Sequence, residues 1–233
     1  MIETLQTLEW HPFLLSFKLA VITTFILFSI CLPFAWYLSQ TKSKLKPILE
    51  AITALPIVLP PSVMGFYILW SLSQNSVIGQ FFNDVFGIKL VFNFTSLVIG
   101  SCFYSLPFMV QPLQNGFQSI NKNMLEASYV AGKSKYVTML RVALPNIKPA
   151  IMTAIIITFA HTIGEFGVIL MIGGSIPGET KVASVAIYEF VEVMDYAQAH
   201  IYSGIMLVMS FLTLLGVYVF NRSQNNKFMR VQP

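Results

Sequence analysis

An all-α integral membrane protein is the fold class that this sequence predicts, on three observations. Of its 233 residues, 55% are hydrophobic and only 10% are charged, against roughly a quarter charged in a soluble domain. The mean hydropathy is +0.70. The apolar residues gather into stretches that meet the requirement of ~20 residues per bilayer crossing, at roughly 13–38, 51–72, 95–113, 150–172 and 201–220. Polar segments 39–50, 73–94, 114–149 and 173–200 separate these five spans, and a tail follows from Asn221. There is no internal repeat or low-complexity tract, so residues 1–233 read as one transmembrane domain.

The same composition excludes several classes. A formal charge of +4, scattered along the chain, is no footprint for nucleic acid. Cys31 and Cys102 lie in apolar runs without a nearby Cys or His, so they read as small core residues and not as a disulfide or metal site. The first dozen residues carry Glu3 and Glu9 and no Lys or Arg, the wrong charge for a signal peptide. Lysine and arginine placement sets the topology. Lys42, Lys44, Lys46, Lys122, Lys133, Lys135, Arg141, Lys148, Arg222, Lys227 and Arg230 fall on one side. The other side holds Lys89 and Lys181, with Lys18 near the end of the first span, and Glu3, Glu9, Asp84, Glu179, Glu189, Glu192 and Asp195. The prediction is N-terminus outside and C-terminus in the cytoplasm.

In the first span, Lys18 is placed to snorkel to the outer headgroups, and Trp10, Trp36 and Tyr37 fit interfacial belts. The second span contains Pro56, Pro60 and Pro61. Each removes a backbone donor and clashes with the preceding turn, and carbonyls freed in lipid need neighbouring protein or a water-lined cavity. A kink facing a translocation path or gate is expected, or else one packed against neighbours. Pro107 and Pro112 repeat the pattern more weakly in the third span. The fourth span carries His161 and Glu165 as an i, i+4 pair on one helix face. An acidic group at that depth costs on the order of 2.5–3.5 kcal/mol, so it must face the bundle interior. The pair reads as a hydrogen-bonded structural contact or a helix–helix lock using Gly164 and Gly167, with half a metal site as the weaker alternative.

The segment 114–149 is soluble in character. Asn123 and Glu126 have capping-box spacing for a short helix running to Ala131. Gly132 follows in the position that accepts a left-handed conformation. A second short helix starts at Ser134 and stops by Pro145. Local capping is the alternative role for Glu126. Ala131-Gly132-Lys133-Ser134 imitates the end of a P-loop, but Ala127 stands where the first glycine belongs and no strand precedes it. No nucleotide site, catalytic residue or metal site is therefore assigned to this chain.

Glu126-Ala127-Ser128, then Gly132, then Val142-Ala143-Leu144-Pro145 resembles the EAA loop of ABC-importer permeases, with Ser128 for the second alanine and Val142 for the usual isoleucine. The stretch from Leu55 through Pro56, Pro60, Pro61 and Ser62 to Tyr67 is similar to the second-span signature of molybdate permeases. So are Leu106-Pro107-Phe108-Met109-Val110, Gly164-Glu165-Phe166-Gly167, and Gly173 to Thr180 leading to Ala186-Ile187-Tyr188. The likeness runs over roughly residues 13–220.

The resemblance implies a multi-pass permease subunit of the bacterial inner membrane, with no enzymatic site and no cofactor of its own. It would work in two copies above two ABC ATP-binding subunits that bind ATP. An extracytoplasmic oxyanion-binding protein would deliver molybdate, with tungstate also a candidate. Glu126, Ala127, Ser128, Gly132, Leu144 and Pro145 would couple to the ATPase. Pro56, Pro60, Pro61, Ser62, Tyr67, Ser105 and Thr162 would line the pathway or gate. The alternatives are a sulfate or thiosulfate permease of the same class, or a secondary transporter using His161 and Glu165 as a proton relay.

Overall fold

A computed structural model describes residues 8–229; residues 1–7 and 230–233, and the side chains of 217 and 220–229, lie outside that description. Expectations resting on Glu3, Arg222, Lys227 and Arg230 fall there. All regular elements among the described residues are helical.

Helix α1, His11–Gln40, has 30 residues, about 45 Å at ~1.5 Å each. It enters with Pro12 in its first turn, where a missing N–H is harmless. Lys18 places its ammonium 4.6 Å from the centre of the Phe94 ring. Trp10 and Tyr37 are exposed, whereas Trp36 is buried, its ring edge-on to that of Phe117 with centroids 5.1 Å apart. Trp36 is thus a core residue and not part of a belt.

The second predicted span is two helices, α2 (Lys46–Val58) and α3 (Pro61–Leu72), bent by 113°. A residue before proline is pushed from helical to extended backbone. Here two such residues are consecutive: Leu59 has ψ 134° and Pro60 has ψ 136°. The expected kink is therefore a corner. Pro56 stays inside α2. A short outer helix, α4 (Val77–Phe86), follows. Ser76 caps it by accepting the Gly79 N–H, and Gly87 ends it at φ 65°.

Helix α5, Phe94–Gln118, begins with a reciprocal Asn93–Ser96 capping box and runs unbroken through Pro107 and Pro112. Isolated prolines do not reproduce the corner made by an adjacent pair. Two short helices come next, α6 (Lys122–Val130) and α7 (Lys135–Asn146), then α8 (Lys148–Gly164) at 80° to α7. Helix α8 has 17 residues, at the lower limit for a full crossing. The predicted fourth span breaks at Glu165-Phe166 and resumes as α9, Gly167–Gly173. Helix α10 (Ala183–Glu192) precedes α11 (Tyr196–Met229). Among the described residues, three helices are long and apolar enough to cross a bilayer, and up to five crossings result if α2–α3 and α7–α8 each count as one.

Burial gives the bundle its direction. Leu27, Cys31 and Leu38 of α1 cluster with Met109, Leu113 and Phe117 of α5, and with Leu125 and Met139 beyond it. Leu15 and Leu19 cluster with Leu97, Val168, Ile169 and Val185. Helices α1 and α5 therefore run parallel, and α8 with α9 runs the other way. At the second end, Ser16 Oγ donates to the Pro12 carbonyl and accepts the Ala183 N–H, both at 2.9 Å. Lys181 there forms an ion pair with Glu189. Burial raises the Glu189 carboxyl, but the hydrogen bond and charge of Lys181 outweigh it and hold the group below the usual range.

Candidate functional site

Two places hold the residues singled out by sequence. The first is the hook formed by α6 and α7 at the lysine-rich end. Asn121, not Asn123, is the cap of α6, and its side chain accepts the Asn123 N–H at 2.9 Å. Glu126 is exposed and takes no part in that cap. The helix ends at Val130, and Gly132 follows at φ 74°. Its N–H reaches the Tyr129 carbonyl at 2.9 Å, while the Lys133 N–H reaches that of Ser128 at 3.1 Å. These two bonds form a Schellman closure. Ser134 caps α7 by accepting the Val137 N–H. Contrary to expectation, Pro145 does not end α7: a π turn over Met139–Ala143 is followed by helix through Asn146. Proline fits there because Leu144–Asn146 begins a new turn, where the missing N–H is tolerated.

Within the hook, Ser128 is buried and its hydroxyl meets that of Thr138 at 2.8 Å, tying the two helices together. Leu125, Met139, Ala143 and Ile147 fix the hook to the core. Facing outward are Glu126, Ala127, Gly132 and Pro145, with Val130 89% and Tyr136 66% exposed. Leu144 is half-buried.

The second place is the break after α8. Glu165 has ψ 132°, outside the helix, so it shares no helical face with His161. Its carbonyl accepts the Ser184 hydroxyl at 2.6 Å and its Oε2 accepts that of Ser101 at 2.8 Å. Oε1 is buried without a partner. His161 Nδ1 lies 2.9 Å from Ser105 Oγ, which lies 3.0 Å from Thr162 Oγ1. The two residues bond to α5, not to each other. Gly167 does serve as a close-approach point, because a Cβ there would stand 2.7 Å from Pro61 Cβ, whereas Gly164 faces open space. Two broken spans thus touch at their breaks. Ser105 and Thr162 are buried in this network, Pro56 is buried in α2, and Pro60, Pro61, Ser62 and Tyr67 are exposed. Sequence reasoning missed Ser101 and Ser184. The spacing of Ser101 and Ser105 by one helical turn on α5 is the one local sign of the network.

Residues 20–230 match the family model described as the inner membrane component of binding-protein-dependent transport systems. The chain belongs to that family and is a multi-pass inner-membrane permease component. The molybdenum transport system permease protein ModB of Azotobacter vinelandii is 46% identical over 204 residues, covering 88% of this chain and 90% of that protein. A probable sulfate transport system permease protein cysT of Chlorella vulgaris is 34% identical over 185 residues, covering 79% and 69%. Among solved structures, a bacterial alginate ABC transporter in complex with an alginate-bound periplasmic protein superposes with TM-score 0.73 at 18% identity, covering 95% of this chain and 82% of that one. This last likeness speaks for the fold alone. The segment that imitates a P-loop follows a helix, since Lys122–Val130 is α6; it is not a nucleotide-binding loop.

Proposed function

We propose that the chain is the membrane subunit of an ATP-driven importer of molybdate, with tungstate as a related substrate. Its 46% identity to the Azotobacter permease over nearly the full length of both proteins carries this reading. The domain would span residues 1–233 with five passes, N-terminus outside and hook in the cytoplasm, in accord with the lysine and arginine asymmetry. Two copies would stand above two ATP-binding subunits and receive the oxyanion from an outer binding protein. Sulfate is the second reading, favoured by the 34% identity to the cysT protein.

In this mechanism Glu126, Ala127 and Gly132 form the face that docks on the ATPase. Ser128 braces that face from within, and Leu144 and Pro145 sit where the hook meets α8. Closure of the ATPase dimer would move the hook and rock the attached helices as rigid bodies. The prolines 56, 60 and 61, with Ser62 and Tyr67, would border the path at the corner. Ser105 and Thr162 would support it from behind through the His161 bond. Hydroxyls and backbone groups suit a divalent anion that must be released, because buried cations would trap it.

The test is ATP-driven uptake in proteoliposomes holding the permease, its ATPase and its binding protein, with molybdate, tungstate and sulfate in competition. Molybdate uptake resistant to excess sulfate supports the reading; uptake that survives ATP depletion but collapses with an uncoupler refutes it.

A further inference from the structure

Tyr104, Phe108, Gln111, Asn115 and Gln118 lie on α5 at alternating steps of four and three residues, which on a helix is a single stripe. Toward the outer end, Tyr104 borders an open hollow of about 490 Å³ shared with Pro61, His161 and Glu165. Toward the hook end, Gln111, Asn115 and Gln118 border a second hollow of about 380 Å³, opposite Glu50 and Thr53 of α2. Phe108 stands between the two in register. Its ring stacks on that of His161, with centroids 4.1 Å apart and planes at 29°. His161 is held on two further sides, by Ser105 Oγ at 2.9 Å and by the Tyr104 ring at 4.9 Å. The stack is thus pinned beside the outer hollow, which His161 lines, one step along the stripe from Gln111 of the inner one.

The inner hollow has the right chemistry for a passing anion. Amide N–H groups donate to oxyanion oxygens without the fixed charge that would retain a dianion. The acidic group nearby is already engaged: Glu50 accepts from Gln114 and lies 3.9 Å from the Lys46 ammonium. Gln111, Asn115 and Gln118 are exposed; Gln111 lies within the predicted span 95–113, where an amide turned toward hydrocarbon would lose its hydrogen bonds. Water or a transported ion would satisfy it.

We propose that this stripe is the inward leg of the oxyanion's route and that the Phe108–His161 stack is the barrier at its head. The inference rests on the permease reading above. The test uses the assembled transporter in inverted vesicles, in a background carrying Cys31→Ala and Cys102→Ala, with a membrane-impermeant maleimide added on the hook side. Asn115→Cys is expected to label. Tyr104→Cys is expected to stay shielded with Phe108 or Phe108→Leu, and to label at the rate of residue 115 once Phe108→Ala is added. Labelling of Tyr104→Cys with Phe108 intact overturns the proposal, as does protection of Asn115→Cys or continued shielding in the Phe108→Ala variant. If Phe108→Ala does not assemble, Gln111→Leu decides: loss of one hydrogen bond to the charged ion should slow ATP-driven uptake about tenfold, and unchanged uptake refutes the route. Labelling needs no transport, so wild-type failure to import molybdate would sink the parent reading without altering the accessibility result.

Discussion

The hook connects two spans and the mid-bundle break interrupts one, and the two are built on different length scales. The hook closes on itself: Asn121 caps Asn123, Gly132 returns to Tyr129, and Ser128 meets Thr138 ten residues on. The break closes on distant chain: Glu165 reaches Ser101, His161 reaches Ser105, and Gly167 abuts Pro61. A locally closed element can be displaced as a unit. A break stitched to two other helices can move only if they move with it.

Four substitutions probe that contrast, in descending order of expected effect. Gly167→Val forces side-chain atoms into Pro61, an overpacking cost of about 1–3 kcal/mol. The purified complex should show a clearly lowered melting temperature and poor assembly, and a wild-type melting curve would mean the contact is slack. Gly132→Val meets no neighbouring atom, so its cost is the left-handed backbone alone, about 1–2 kcal/mol, confined to the hook. The protein should insert normally while ATP hydrolysis loses its coupling to uptake; full coupling in reconstituted complexes would remove the hook's assigned role. Glu165→Leu leaves the buried Ser101 hydroxyl unpaired, about 1 kcal/mol or more, and should reduce assembly while leaving the choice between molybdate and sulfate unchanged. Altered oxyanion preference with normal assembly would move Glu165 from the scaffold to the path.

The smallest effect belongs to the outer end. Lys181 holds the Glu189 carboxyl below its ordinary value near 4.5, so the pair's contribution is present above that pH and is lost as pH falls through the lower folded value. Glu189→Gln should cost less than about 1 kcal/mol at neutral pH and should flatten the wild-type acid sensitivity below about pH 4.5 in a thermal-shift series. An unchanged acid profile would show that other carboxyls set it.

What could be read from the sequence follows the same division. Gly132 announced its left-handed turn, Ser134 its cap, and the paired prolines an interruption, because each acts on its own backbone. The cap of α6 lies two residues before the expected Asn123, since asparagines at 121 and 123 offer the same chemistry. Helix α4 has legible ends, with Ser76 before it and Gly87 after it, but it falls within 73–94, which the sequence marks only as a polar segment between spans. Helix α10 had no side-chain cap to find, and its first N–H is held by Ser16 from another helix. Glu165 was placed on an intact helix because the hydroxyls that hold it in extended backbone come from residues 101 and 184.

Ile147 is the single residue between α7 and α8. It is buried, and its N–H bonds to the carbonyls of Ala143 and Leu144. A link of one residue has no slack to stretch, so under the proposed coupling a displacement of the hook would pass directly to the foot of α8.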